Sequence, residues 1–136
     1  MLKEIRSVTC FLESQGDILI LLRSKKVRTY QEIWGGVSGR IQYSRTPLEQ
    51  ARLEVEEETG IKMEDITLIK EGEVLIFDDP EIKIRKVVYP FLFQVSDRNK
   101  IRIDWEHTQS KWIKPSEIDK YQTMPQLRET LLRVVD

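Results

Sequence analysis

Glu54, Glu57 and Glu58 stand at i, i+3 and i+4 in the run Glu54-Val55-Glu56-Glu57-Glu58. On a helix that spacing brings their carboxylates onto one face. Three like charges so close repel one another unless something positive lies among them. Hard divalent cations such as Mg²⁺ prefer carboxylate oxygens and water, so a metal is the natural candidate. Taken alone, the same run reads as a solvated helix face, so the choice rests on the surroundings.

The helix that must carry these residues has marked ends. Thr46 suits the N-cap, Pro47 the first helical position, and Glu49 completes a capping box. Gly60 stands where a left-handed C-terminal residue is wanted. Between them Leu48, Ala51 and Val55 share a face at helical spacing and are expected to be buried.

The stretch Gly39–Ile61, GRIQYSRTPLEQARLEVEEETGI, resembles the Nudix box, G-x5-E-x7-R-E-U-x-E-E-x-G-U, where U is a bulky aliphatic residue. Gly39, Glu54, Val55, Glu57, Glu58, Gly60 and Ile61 fall in register without a gap, seven of nine specified positions. The resemblance implies the Nudix α/β/α sandwich, an α/β fold with a mixed β-sheet and the box as a loop-helix-loop. It implies hydrolysis of a diphosphate linkage in a nucleoside triphosphate or related polyphosphate. Glu54, Glu57 and Glu58 would then hold Mg²⁺ or Mn²⁺, and Glu57 or Glu106 would take the proton from the attacking water. Two positions depart from the pattern: Arg45 stands for its first Glu and Leu53 for its Arg. The family Arg helps hold the neighbouring carboxylates, which Leu53 cannot do. Arg52 points about 100° away around the helix. Arg45 is therefore expected to reach back from the loop to a glutamate. These departures keep open an alternative, a catalytically weak Nudix module that binds a nucleotide.

A second segment, IDWEHTQSKWIKPSEI, looks most like the dihydroneopterin triphosphate or dATP pyrophosphohydrolases. On that resemblance Glu106 lies on a loop over the cleft as a further metal ligand or the base, with His107 as runner-up. Hydrolysis of a dinucleoside polyphosphate or a sugar nucleotide stays open, since the box reads only the diphosphate and the metal. In RSKKVRTYQEIW the basic loop is by itself a solvated segment; in this position Arg28 could contact a polyphosphate and Trp34 line a base-binding cleft. Gly35, Gly36 and Gly39 allow the backbone to approach a ligand closely. Arg85, Lys86 and Tyr89 could face the cleft, although strand alternation favours outward-pointing charges there. Arg28, Trp34, Gly39, Arg45 and Arg85 are the substrate-binding candidates.

The chain must position these groups within 136 residues, expected to form one domain over 1–136. Strands are expected at 5–13, 18–22, 66–70, 73–77, 82–95, 101–103 and 111–113, with Pro90 marking a bulge, edge or break. A final helix is expected from about Pro125, with Leu127, Leu131 and Leu132 on its apolar side. With 22 basic and 23 acidic residues the net charge of −1 gives no general attraction to nucleic acid. The single cysteine, Cys10, lies in an alternating apolar run and reads as a buried thiol compatible with a reducing compartment. No signal-like or membrane-length apolar run is found, so a cytoplasmic protein is expected. The resemblance implies a small nucleotide polyphosphate as partner and allows a homodimer.

Overall fold

The computed structural model describes residues 2–135, and two long parallel strands run through its centre. These are β1 (Lys3–Ser14) and β7 (Ile84–Val95), paired from Lys3–Ile84 to Glu13–Gln94. From β1 the chain turns through Gln15 (φ 53°) and Gly16 (φ 84°) into β2 (Asp17–Arg23). Two successive positive φ values are what a tight hairpin of right-twisted strands requires. After the hairpin, the same edge of β1 pairs with β4 (Val37–Arg40), while β2 carries β3 (Trp34–Gly35) and β8 (His107–Ile113). Two antiparallel strands share the far edge of β7: β5 (Ile66–Glu71) and β6 (Leu75–Asp78). Pro90 sits where that edge passes from one to the other, and its carbonyl accepts the Gly72 N–H at 2.9 Å. The strand runs on through the proline.

Both faces of this sheet are buried, which is why β2 is apolar without interruption. On one face Val8, Cys10, Leu12, Leu19, Leu21, Phe91 and Phe93 pack against Ala51 and Val55 of α1 (Pro47–Thr59). On the other, Phe11, Ile18, Ile20 and Leu92 meet Ile118, Leu127, Leu131 and Val134. The expected sandwich is thus present, but its second helical layer is slight. It consists of a 3₁₀ segment (Pro115–Lys120) and α2 (Leu127–Leu132), shorter than expected because Gln126 (φ 63°) starts it late. Residues 101–103 form no strand; Ile101 and Ile103 serve as packing against the α1 face instead. Strand β8 begins earlier than expected, at His107, which pairs with Arg23 across a register shift. No helix among the described residues is long and apolar enough to cross a membrane.

Candidate active site

Helix α1 is fixed at both ends as its sequence requires. The Glu49 N–H donates to Thr46 Oγ1 (3.2 Å), the Thr46 N–H to Glu49 Oε1 (2.9 Å), and Gly60 closes the helix at φ 75°. With Ala51 and Val55 fully buried, the turn that follows carries Glu54 and Glu58 to the edge of the core beside β4. Gly39 on β4 makes room for them: a Cβ there would fall on the Glu54 carboxyl carbon. Glu58 is only 2% exposed, and its Oε1 accepts the Ser38 N–H at 3.3 Å. Gln50 Nε2 donates to Glu54 Oε2 at 2.6 Å.

Burial pushes the Glu58 carboxyl well above the usual carboxylate range, and hydrogen bonding to Glu54 and its charge push it further. Burial raises Glu54 as well, against hydrogen bonds from Glu58 and Gln50. Two ionised carboxylates contain no donor, which leaves the buried Glu58 Oε2 without a partner. A proton shared between them closes the pair; so would a cation. His107 completes the far side, almost fully buried, with Nδ1 2.9 Å from Asp104 Oδ1 and Nε2 3.8 Å from Glu58 Oε1. Next to it Glu106 is half-buried, its carboxyl raised by burial and by Asp104, while its carbonyl accepts the Ser24 N–H at 2.7 Å. Arg23 lies behind them, held by the carbonyls of Tyr30 (3.0 Å) and Thr29 (2.9 Å). Burial pulls its guanidinium down, and the charges of Glu106 and Glu58 oppose that.

The donors suit a hard divalent ion in chemistry more than in present spacing. Carboxylate oxygens predominate, with His107 Nε2 3.8 Å from one of them, and one buried oxygen lacks a partner. Among the described residues no three acidic, histidine or cysteine side chains are gathered closely enough to hold a metal as they stand. Glu57 is exposed and lines an open hollow of about 490 Å³ with Glu54, Gln50 and Arg45. It stands three residues after Glu54 and next to Glu58 on the same helix.

On the opposite face of the sheet a cleft of about 400 Å³ lies beside this centre. Its floor continues the inward rows of the strands, with Ser7 and Thr9 of β1 and Ile84, Lys86 and Val88 of β7. Gly39 lines the cleft and also backs Glu54, so the two share a wall. Arg23, Arg28, Arg40 and Lys86 line it, and among the described residues no carboxylate does. Lys86 is held in place: its Nζ is 3.3 Å from Asp79 Oδ2 and lies over the rings of Tyr30 (5.5 Å) and Phe77 (5.9 Å). Asp79, 2% exposed, also accepts the Tyr30 hydroxyl at 2.6 Å and the N–H groups of Glu81 and Ile82. This cluster ties the β2–β3 loop, with Arg28, to the β6–β7 turn.

The sequence model of the NUDIX domain matches residues 3–134. The chain belongs to the Nudix family. Among solved structures it superposes on a MutT protein from Methanosarcina mazei Go1 with a TM-score of 0.81, at 23% identity over 98% of this chain and 94% of that one. The dihydroneopterin triphosphate pyrophosphohydrolase of E. coli follows at 0.78 and 22%, covering 96% and 94%. A C. elegans Ap4A hydrolase gives 0.74 and 18%, covering 95% and 93%. At these identities the likeness concerns the fold.

Within the Nudix frame, Glu54, Glu58, Gly39 and Glu106 come together around one centre, Glu57 stands at its rim, and Arg28 lies in the cleft. Arg45 is placed differently from the expectation. Among the described residues its guanidinium pairs with no carboxylate and instead reaches Gln50 Oε1 at 3.4 Å. Trp34 does not line the cleft: it packs in the α2-side core, edge-on to Tyr121 at 5.6 Å. Arg85 also lies outside, because strand parity sends it to the other face of β7 from Lys86, where it binds Asp78 at 2.8 Å. Gln50 went unread in the sequence, although its place four residues before Glu54 is the spacing at which helical side chains meet. Arg40 was likewise missed, since a charged residue ending a short strand looks like any solvated one.

Proposed function

We propose that this Nudix protein hydrolyses a diphosphate linkage in a nucleoside triphosphate, by attack of water on phosphorus. The observation that carries this reading is the shared wall at Gly39, which sets a carboxylate centre against a cleft lined by four cations and, among the described residues, by no anion. Glu54, Glu57 and Glu58 are the residues that would hold Mg²⁺ or Mn²⁺. When bound, the ion supplies charge neutralisation at the phosphate oxygens and a more acidic water. Arg28, Arg40 and Lys86 then draw the polyphosphate into the cleft, and the apolar surface of Phe77, Ile84 and Val88 takes the organic part. Glu57 or Glu106 takes the proton from the attacking water, and burial and Asp104 hold the Glu106 carboxyl above its usual range. His107 steadies Glu58 across the gap from Asp104.

Relatives of this fold named for Ap4A and for dihydroneopterin triphosphate show that the fold alone leaves the substrate open. A second reading, a nucleotide-binding module of low turnover, is favoured by Leu53 and by the outward position of Glu57. The deciding experiment follows pyrophosphate and phosphate release from nucleoside triphosphates, dihydroneopterin triphosphate and diadenosine polyphosphates. It is run with Mg²⁺, Mn²⁺ and chelator, with Glu57→Gln as control. Metal-dependent release from one substrate class, lost in the variant, supports the hydrolase; tight nucleotide binding without turnover supports the module.

A further inference from the structure

We infer that Gln50 is the positioning residue of Glu54, set in its orientation by Arg45, and that this pair replaces the arginine missing at Leu53. The inference rests on the reading of Glu54 as a metal ligand. Gln50 is 1% exposed, and every polar atom of its side chain is engaged. Its Oε1 accepts the Gln42 N–H at 3.1 Å and Arg45 Nη1 at 3.4 Å, while its Nε2 donates to Glu54 Oε2 at 2.6 Å. Only one orientation of the amide satisfies all three partners. Turned over, its NH₂ would face an N–H and a guanidinium, and its oxygen would face a carboxylate. The short bond from Gln50 to a carboxylate is of the stronger, charge-assisted kind. It tethers Oε2, and the carboxyl group occupies the space that Gly39 leaves, hydrogen-bonded to Glu58.

The two departures from the Nudix box therefore form one device. A glutamate at 45 and an arginine at 53 could act on the acid cluster directly. Leu53 offers no donor, and Arg45 delivers its positive charge at one remove, through the Gln50 amide. Because the two act in series, removing the nearer one should make the farther one irrelevant.

The test uses the full chain and Mn²⁺, with free Mn²⁺ counted by electron paramagnetic resonance. Gln50→Leu, close in volume and free of polar atoms, is expected to weaken Mn²⁺ binding by about ten- to a hundredfold, the usual effect of losing a partner that orients a metal ligand. Arg45→Met, at a solvent-facing site, is expected to leave the metal-free melting temperature unchanged and to weaken Mn²⁺ binding several-fold. The double variant should bind no worse than Gln50→Leu alone. A metal-free readout accompanies this: the Gln50 side-chain NH₂ signals in the ¹H–¹⁵N spectrum should shift in both Arg45→Met and Glu54→Gln. A parent that binds no Mn²⁺ overturns this inference and the metal reading together. A parent that binds it while Arg45→Met and a folded Gln50→Leu bind equally well overturns this inference alone. Additive losses, or NH₂ signals indifferent to Glu54→Gln, also overturn it.

Discussion

The state of the acid pair follows from where its carboxyls sit. Glu58 lies well above its ordinary value because burial and the Glu54 carboxyl both disfavour its charge. Between the unfolded value and the folded one, the folded chain holds a proton that the unfolded chain has lost. The Glu58 contribution to metal-free stability is then fully present below the unfolded value and falls as pH rises through that window. Thermal melts in chelator should show this decline above about pH 5, and Glu58→Gln should flatten it and melt higher than the parent at alkaline pH. An equally steep decline in the variant would mean that Glu58 is not the group responsible. Glu57, being exposed, gives the converse result. Glu57→Gln should leave the melt unchanged while lowering metal-dependent turnover by at least about a hundredfold. Gly39 gives a third outcome: it needs space rather than unusual dihedrals, so Gly39→Ala should fold and yet displace Glu54, with Mn²⁺ affinity lost.

Secondary structure was legible wherever local chemistry decides it. The Thr46 and Glu49 caps and the Gly60 stop set α1 in the structure as they did in the sequence. Thr46→Ala should accordingly cost about 1 kcal/mol in denaturant unfolding. Legibility failed where a distant partner decides. Residues 101–103 look like a strand but find no edge to join, and Pro90 sits within β7 because two short strands divide that edge around it. The same holds for Asp79, whose turn was visible but whose partner Tyr30 lies 49 residues away. Burial would raise the Asp79 carboxyl, yet the Tyr30 hydroxyl, two N–H groups and Lys86 outweigh it and hold it below its usual value. Its contribution is fully present above the unfolded value and lost as pH falls through the folded one. Melting in acid should therefore fall off for the parent and be flatter for Asp79→Asn, which starts lower at neutral pH because Lys86 is left without its counter-charge.

At the scale of the whole molecule, the box could be read as a string, but the cleft could not. Which of Arg85 and Lys86 faces the substrate depends on the parity with which β7 enters the sheet, and periodicity gives the alternation without the sign. The structure supplies the sign through β1, whose Ser7 and Thr9 share the floor with Lys86. Trp34 shows the same ambiguity: an aromatic residue before a glycine pair suits a cleft wall as well as it suits the α2-side core that it joins. The net charge of −1 conceals a further feature, because Arg28, Arg40 and Lys86 gather in the cleft that Gly39 walls off from the carboxylate centre, while Arg23 borders both. That separation predicts a division of kinetic effects. Lys86 lies in the cleft, away from the acid pair, and is held by Asp79 and two rings rather than by any carboxylate of that centre. Lys86→Ala should raise KM for a nucleoside triphosphate by about tenfold with a smaller change in kcat, the signature of binding lost equally from ground and transition states. The parent KM should rise with ionic strength, and the variant's should rise less steeply, because one of the screened contacts is already gone. A fall in kcat with KM unchanged would move Lys86 to the reacting phosphate, and the cleft would then have to be read with the phosphate chain running its full length.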